Sequence, residues 1–367
     1  MQRESSVHIL WDASHIWGLM AWRALRALGV PSRLVKAKEI AEGALSGKPG
    51  RRGAARLLLV PGGSAGRKAE LLGRAGREAV RDFVRKGGAY LGFCGGAGLA
   101  LSHAWEEHGL GLCPWTRAPY AQRFQHMVSG HVRAALAEAG EDAGGRAPEV
   151  ISLPVWWPGR FAPRPEERDV RILATSIGPD ADLWLADLPL AGIPPRVLET
   201  WRVCYGVDLS PDFLTGQPLV VSGSFGAGRY LLSYSHLETP ESPAANAWLC
   251  RILRELGMAV AEGRAVPAWH LDGEALAPTE APRPGSGPAQ AAPDACARIR
   301  GLLKLGVEQR LFFRRTPWLI GWRAGLPGMA CNDLLAAFAE LTELTRTSTS
   351  GKRPAAAALE ALWRRVG

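Results

Sequence analysis

The sequence predicts an α/β protein with a mostly parallel sheet that carries helices on both faces. Short apolar runs alternate along the chain with segments of helical period, for example Leu57–Val60 and then Ala69–Arg85. The runs are apolar at nearly every position, as strands buried on both faces are. This alternation of short strands with longer helices is the pattern of βαβ units.

The remaining elements are predicted from the same two patterns, apolar runs for strands and helical spacing for helices. Glycine follows the first helical segment at Gly29 and the second at Gly87, as helix C-termini prefer. Up to residue 100 we expect strands at Val7–Trp11, Arg33–Ile40, Leu57–Val60 and Ala89–Phe93. Helices are expected between them at Ile16–Leu28 and Ala69–Arg85. Later we expect a β segment near Met127–Leu136, a strand at Val170–Thr175, a glycine-flanked hairpin from Leu219–Ser222 and Arg229–Ser233, and a helix at Pro243–Met258.

The composition changes along the chain, and we expect a domain at 1–260, a linker at 261–293 and a small helical region at 294–367. The linker is rich in Ala, Pro and Gly and has no apolar period. From Asp294 the helical period returns, and this last region holds twice as many Lys and Arg as Asp and Glu. A docking surface for an acidic protein partner and an ordinary solvated helical surface explain that charge about equally well.

The overall composition, 47% hydrophobic and 22% charged, is typical of a soluble globular protein. No apolar run approaches the length of a membrane span, and Met1–Ser6 leaves no room for a signal peptide before the first strand. The six Cys are scattered, with no CxxC pair and no zinc-type His spacing. We therefore expect a cytoplasmic protein with no metal and no other cofactor.

The formal net charge of +9 raises nucleic acid as a partner. However, residues 1–260 contain no Lys/Arg block interleaved with aromatic residues. Arg, Ala and Gly abound throughout, a composition that GC-rich coding also produces. Nucleic-acid binding is therefore disfavoured.

The stretch Gly87–Ser102 (GGAYLGFCGGAGLALS) contains the first candidate site residue, Cys94. A strand, a tight turn and a helix start fit this order of residues. The frame Gly92-x-Cys94-x-Gly96 has the form of a nucleophile elbow with Cys in place of Ser. The thiol would lie at the positive end of a helix dipole, which favours the thiolate. A buried structural Cys in a glycine-rich turn is the competing interpretation.

A cysteine nucleophile needs a base, and His236 is the candidate. It follows the last strand of the glycine hairpin, and on an extended backbone Glu238 points to the same side. That carboxylate could hold the imidazole tautomer and stabilise the imidazolium. Taken alone, His236 is more often an ordinary half-buried histidine; together with the elbow, the three residues supply nucleophile, base and orienting group.

Pro61-Gly62-Gly63 follows a short predicted strand, so its backbone lies at the same edge of a parallel sheet as the elbow. A glycine N–H there, with the N–H of Gly95, could form an oxyanion hole. A simple turn into the next helix is the alternative interpretation.

Together these motifs resemble the class I glutamine amidotransferase-like superfamily, whose fold is flavodoxin-like. Within it, the sequence is most similar to the domain called biotin-protein ligase N-terminal, over roughly residues 5–260. The resemblance is carried by the strand-PGG-helix segment, GGAYLGFCGGAG at 87–98 and GSFGAGRYLLSYSHLE at 223–238. It implies a nucleophile at Cys94, a base at His236, a third member at Glu238, and an oxyanion loop at Gly62-Gly63 beside Gly95.

The sequence departs from the superfamily pattern at three positions near the site. Glutaminases usually carry Gln four residues after the nucleophile, where Gly98 stands here, and Pro after the His, where Leu237 stands. The related peptidase and chaperone branch places His directly after the Cys, where this chain has Gly95. Residues 261–367 also contain no GRGRxxxxR-type adenylate loop. Efficient glutamine hydrolysis and biotinylation by this chain are therefore not expected.

The sequence thus predicts a Cys-dependent hydrolase or amidotransferase-like protein that acts on an amide or related acyl bond of a small molecule or peptide. The rival hypothesis is a non-catalytic module on the same fold, which holds a ligand or partner with the Trp-rich loops at residues 105–161. Gly98 and Leu237 favour the rival, and the complete Cys, His and Glu set favours the enzyme.

Overall fold

A computed structural model of the chain describes residues 6–46, 55–102, 109–137, 149–167, 169–271, 288–322, 328–349, 360 and 362. The chain divides into two compact units, residues 1–267 and 268–367. Residues 103–108 of the Trp-rich loops and residues 272–287 of the expected linker lie outside the described residues. The predicted linker therefore stays a prediction.

The first unit begins with an alternation of strands and helices. Its first eight elements are β1 (Ser6–Leu10), α1 (His15–Ala27), β2 (Ser32–Val35), α2 (Ala37–Ala41), β3 (Ala55–Val60), α3 (Ala65–Arg85), β4 (Ala89–Phe93) and α4 (Gly95–Ala100). They are followed by β5 (Thr116–Arg117), β6 (Val128–Leu136), β7 (Val150–Trp156), β8 (Phe161–Ala162), β9 (Arg171–Pro179), β10 (Trp184–Leu185), β11 (Leu188–Pro189), α5 (Pro195–Tyr205), β12 (Pro218–Phe225), β13 (Gly228–Ser233) and α6 (Pro243–Glu255).

One sheet organises this unit, and its central part is parallel. Strands β2, β1, β3, β4 and β13 lie side by side in that order, each parallel to its neighbour. Beyond β13 the sheet continues antiparallel through β12, β9, β6, β10 and β11, with β7 paired to β6. The predicted α/β class with its parallel sheet is confirmed, and so is the predicted glycine hairpin, which is the antiparallel pair β12 and β13. The antiparallel pairings beyond β12 were not predicted.

Side chains along β3 alternate between two covered faces of the sheet. Leu58 and Val60 pack with Leu72 of α3 in one core. Leu57 and Leu59 point to the opposite face and are equally buried, at 0% and 1% exposed. Burial on both faces explains why β3 reads as a continuous apolar run.

One predicted boundary near the start of the chain needs correction. The second strand was expected over Arg33–Ile40, but β2 ends at Val35 and α2 begins at Ala37. The carboxylate of Asp12 accepts a hydrogen bond from the N–H of Ala37 at 2.5 Å, and Glu39 closes a capping box on Lys36. These two contacts start a helix where the alternating pattern alone favours a strand.

The second unit combines two long helices with a hairpin. Its described elements are α7 (Pro288–Glu308), β14 (Phe312–Thr316), β15 (Leu319–Trp322) and α8 (Gly328–Thr349). The hairpin of β14 and β15 adds a two-stranded sheet to a region predicted to be helical. Helix α7 also begins at Pro288, within the predicted linker, because the Ala residues around Pro293 favour a helix.

Candidate active site

Cys94 lies immediately after β4, where the parallel part of the sheet ends. Its N–H donates to the carbonyl oxygen of Ser233 at 2.7 Å, so the elbow and the segment after β13 leave the sheet side by side. Cys94 has φ 45° and ψ −103°, a conformation that costs a non-glycine residue about 1–3 kcal/mol. The turn aims the residue out of the sheet and starts α4 at Gly95.

Glycines around Cys94 let three backbone segments touch. A Cβ atom at Gly95 would lie 1.9 Å from the carbonyl oxygen of Gly63, and one at Gly96 would lie 1.9 Å from that of Val60. Gly63 has φ +103°, a conformation that favours glycine. The N–H of Gly95 opens a helix and has no intrahelical partner, and the N–H of Gly63 donates to no described backbone carbonyl. The two candidate oxyanion donors therefore lie together beside Cys94.

His236 and Glu238 form a buried pair. Nδ1 of His236 lies 2.8 Å from Oε1 of Glu238, and both side chains are 0% exposed. Since a carboxylate only accepts, Nδ1 donates and Nε2 faces away from Glu238. Nε2 is buried and has no hydrogen-bond partner within the described chain, and the same holds for Oε2 of Glu238.

A turn, rather than the expected extended backbone, brings these two side chains together. Strand β13 ends at Ser233, and the N–H of Thr239 donates to the carbonyl oxygen of His236 at 3.1 Å. The amide of Asn246 in α6 donates to the carbonyl oxygens of Leu237 at 2.8 Å and Thr239 at 3.0 Å. Helix α6 thus fixes the turn that carries the pair.

The electrostatics favour a protonated His236. Burial lowers the pKa of its imidazole, but the Glu238 carboxylate and the Cys94 thiol raise it more, to about 9. At neutral pH the ring is then almost wholly imidazolium, which is the state that stabilises a neighbouring thiolate.

Three tryptophans surround the histidine and the cysteine. The ring of Trp17 lies 4.6 Å from that of His236, and stacks on Trp156 at 6.1 Å. The Cys94 thiol lies 3.7 Å from the carbonyl oxygens of both Trp156 and Trp157. The Trp-rich loop noted in the sequence therefore reaches the candidate site, whereas Trp17 was missed because its place in a helical pattern indicates only core packing.

Lys68 is a second residue that the sequence did not single out. It lies in α3 and is 0% exposed, and its ammonium bonds to the loop between β1 and α1. Its sequence context, an Arg- and Lys-containing helix, is typical of a solvated face, so no signal in the sequence marks it.

The structure offers no further ligand set in the described part of the chain. No group of three or more His, Cys, Asp or Glu side chains there is arranged to hold a metal ion. The helices among the described residues include none with the length and apolar character of a membrane span.

The fold and the elbow define an α/β protein with a cysteine at the carboxyl edge of its parallel strands. Residues 23–109 match the family described as biotin-protein ligase, N terminal. The matched segment runs from α1 past the elbow, and it confirms over these residues the resemblance to the biotin-protein ligase N-terminal family. No curated protein matches the chain significantly in sequence.

Solved structures resemble this chain at low sequence identity. PurLQS from Thermotoga maritima is 12% identical, with 66% of this chain and 92% of that chain covered and a TM-score of 0.41. A protein from Thermoplasma acidophilum that is described as one of the subunits of GMP synthase is 15% identical, with 70% and 99% covered and a TM-score of 0.40.

A β-galactosidase from Bacillus circulans sp. alkalophilus is 11% identical, with a TM-score of 0.40. The alignment covers 70% of this chain and 32% of that chain, so this chain spans about a third of the enzyme's length. At such TM-scores the three likenesses carry no information on chemistry.

Proposed function

We propose that the protein is a Cys-dependent hydrolase or amidotransferase-like enzyme that acts on an amide or related acyl bond. One observation carries the proposal: the buried His236–Glu238 pair, bonded at 2.8 Å, lies beside Cys94, which stands in a strained turn. A histidine that is held at Nδ1 by a carboxylate, with a thiol beside its ring, supports a role in proton transfer.

The proposed reaction has two halves. The Cys94 thiolate attacks the acyl carbon, and the carbonyl electron pair moves to the oxygen, which the N–H groups of Gly63 and Gly95 hold. As the tetrahedral adduct collapses, the Nε2–H of His236 gives its proton to the leaving amine or alcohol. Water then attacks the thioester, Nε2 takes its proton, and the carboxylic acid leaves as the thiolate is restored.

Glu238 has an orienting role in this scheme. Its bond to Nδ1 fixes the imidazole so that Nε2 faces the reacting atoms, and its charge stabilises the imidazolium. The raised pKa of His236 supports an imidazolium beside Cys94, which stabilises the thiolate that attacks.

Free glutamine is not an efficient substrate in this proposal. The position where glutaminases usually carry Gln is Gly98, and a Cβ there would meet only Ala65 at 3.5 Å and the hydroxyl of Tyr234 at 3.9 Å. Rapid release of ammonia from glutamine by the wild type, lost in Cys94→Ala, would show this part of the proposal to be wrong.

The direct test uses p-nitrophenyl acetate as the acyl donor. We expect a burst of p-nitrophenolate equal to the enzyme concentration, and an acetyl group on Cys94 in the mass spectrum of the intact protein. Cys94→Ala should abolish both signals. Cys204→Ala is the matched control, because Cys204 is the exposed free thiol on α5.

The alternative function is a binding module without turnover, and the tryptophan cluster at the site favours it. Trp17, Trp156 and Trp157 form a contiguous aromatic group beside Cys94. Trp17 and Trp156 are buried, so the half-buried Trp157 is the ring of this group that a flat or apolar ligand would reach. An unreactive Cys94 in a folded wild-type protein would make this alternative the better one.

We further infer a cytoplasmic setting and an acidic protein partner for the basic region 294–367. All six cysteines are free thiols, which supports a reducing compartment. The excess of Lys and Arg in that region supports the partner. Co-purification of the full chain with an acidic protein, lost when the basic side chains are neutralised, tests the second point.

A further inference from the structure

Lys68 is a buried cation with no role in the scheme above. It lies in the first turns of α3, after the N-cap Ser64, and its side chain is 0% exposed. Its Nζ donates to Oγ of Ser14 at 2.6 Å and to the carbonyl oxygen of Asp12 at 3.0 Å. Both acceptors belong to the loop between β1 and α1.

That loop is held in an unfavourable conformation. Ala13 and His15 both have φ 51°, where non-glycine residues are strained. Ser14 does not cap α1 with its side chain, since its hydroxyl donates to the carbonyl oxygen of Leu10 at 2.9 Å while it accepts from Lys68. Lys68 therefore supplies two of the contacts that hold this loop, beside the bond from the Ala37 N–H to Asp12 and that from Ser14 to Leu10.

The fixed loop presses directly on the candidate oxyanion loop. A Cβ atom at Gly63 would lie only 2.1 Å from the carbonyl oxygen of Ala13. The same Gly63 touches Gly95 on its other side. The position of the Gly63 N–H is thus determined on one side by Gly95 of the elbow and on the other by Ala13, which lies between the two residues that Lys68 bonds.

Retaining a lysine at this place is costly for the fold. Burial lowers the pKa of Lys68 to about 7, even though the Asp12 carboxylate and the Cys94 thiol both raise it. Replacing a buried charge by an apolar side chain of similar volume is often neutral or stabilising. A side chain that weakens the fold and fixes a strained loop at the site has the signature of a functional constraint.

We propose that Lys68 is a positioning residue: it fixes the Asp12–Ser14 loop against Gly63, and thereby places the Gly63 N–H to receive the oxyanion. This inference rests on the proposed acyl chemistry. It assigns no contact between Lys68 and the substrate. Its distinctive consequence is that loss of Lys68 slows steps that use the oxyanion hole more than it slows thiol alkylation, which needs no oxyanion hole and responds only to the Lys68 charge near Cys94.

The test compares two rates in Lys68→Met. Acylation by p-nitrophenyl acetate should fall about 10- to 100-fold more than alkylation of Cys94 by iodoacetamide, as expected for an oxyanion donor that is misplaced rather than removed. The melting temperature should stay equal or rise. Arg67→Met, an exposed neighbour paired with Glu70, is the matched control and should leave both rates unchanged.

A parallel fall of both rates, or no change in acylation, would overturn the role of Lys68. If Lys68→Met fails to fold, Ser14→Ala removes one of its two contacts and should lower acylation several-fold with alkylation unchanged; unaffected acylation then overturns the inference.

A failure of the proposed function can be told apart from a failure of the Lys68 inference, because in the first case the wild-type protein itself is not acylated. In that case hydrogen exchange tests the positioning itself. The N–H of Ser14 donates to the carbonyl oxygen of Trp11, and a peptide spanning residues 11–18 should exchange faster in Lys68→Met. Unchanged exchange there would refute the positioning.

Discussion

A Cβ atom at residue 62 would stand 2.4 Å from Cε1 of His236, so Gly62 lies against the imidazole with no space for a side chain. The same Cβ would stand 3.0 Å from Cδ1 of Trp17, whose ring centroid is 4.6 Å from that of the imidazole. The imidazole is therefore packed against both a backbone and an indole. Its position is set by packing as well as by the bond to Glu238.

The first prediction follows from this packing. Gly62→Ala should push the ring out of place, lower acylation of Cys94 at least tenfold, and cost about 1–3 kcal/mol of stability by overpacking. Gly66→Ala is the control, since a Cβ at Gly66 meets nothing within 4 Å and Ala favours a helix. Burst kinetics and urea unfolding measure the two effects; equal behaviour of both variants would contradict the prediction.

The second prediction concerns the charge of Glu238. In Glu238→Gln the amide oxygen still accepts from Nδ1, but the carboxylate charge that raises the pKa of His236 from 6.5 to about 9 is gone. Burial then dominates, the pKa falls, and the ring is more neutral at pH 7. Alkylation of Cys94 at pH 7 should slow by about tenfold, because fewer thiolates have an imidazolium partner.

NMR titration of the His236 ring measures this pKa directly. Glu241→Gln, at an exposed position three residues further on, should leave the titration unchanged. An unshifted His236 signal in Glu238→Gln would mean that Glu238 does not control the base.

The third prediction is a pair of opposing pH effects on stability. The folded pKa of His236 is raised from 6.5 to about 9, so its stabilisation is complete below pH 6.5 and is lost as pH rises through 9. The folded pKa of Lys68 is lowered from 10.5 to about 7, so its penalty is complete below pH 7 and disappears as pH rises towards 10.5. Between pH 7 and 9 the two contributions oppose each other.

Single variants should separate these contributions. The free energy of unfolding of Lys68→Met should fall with pH between 6.5 and 9, and that of His236→Asn should rise between 7 and 10, each with a slope of up to about 1.4 kcal/mol per pH unit. The wild type should change less than either across pH 7 to 9. Urea unfolding at closely spaced pH values provides the measurement, and identical slopes in all three proteins would contradict it.

The fourth prediction concerns the order of thiol reactivity. Cys94 should react with iodoacetamide faster than Cys204 at pH 7, although Cys204 is the more exposed thiol. The reason is the imidazolium beside Cys94, which Cys204 lacks. Peptide mapping after brief labelling reads both sites at once; faster labelling of Cys204 than of Cys94 would remove the main support for an activated nucleophile.

The parallel half of the fold could be predicted because each of its strands is defined locally. Apolar runs such as Ala89–Phe93 are buried on both faces, so burial alone marks them. Strand β2 was overextended because the start of α2 depends on the distant carboxylate of Asp12. The antiparallel extension depends likewise on pairings between segments far apart in the chain, such as β6 with β9, which no local period encodes.

The candidate site likewise contains some residues that the sequence reveals and others that only the structure reveals. Cys94, Gly62 and Gly63 stand out because the backbone itself demands glycine around a strand end, and that demand is visible in the sequence. Lys68 and Asn246 act through single long-range hydrogen bonds to main-chain or hydroxyl oxygens. Their residue types are ordinary at their positions, so only the folded chain identifies them.

The glycine contacts around Cys94 also bear on how such a site can diversify. Gly95 and Gly96 meet the backbone at Gly63 and Val60 more closely than any side chain allows, so mutation there removes the geometry rather than adjusting it. In the proposed reaction, preferences among acyl groups are then set by side chains near Cys94, such as the half-buried Trp157. We expect substitution of Trp157 to change which acyl groups react while the backbone contacts at Gly95 and Gly96 stay in place.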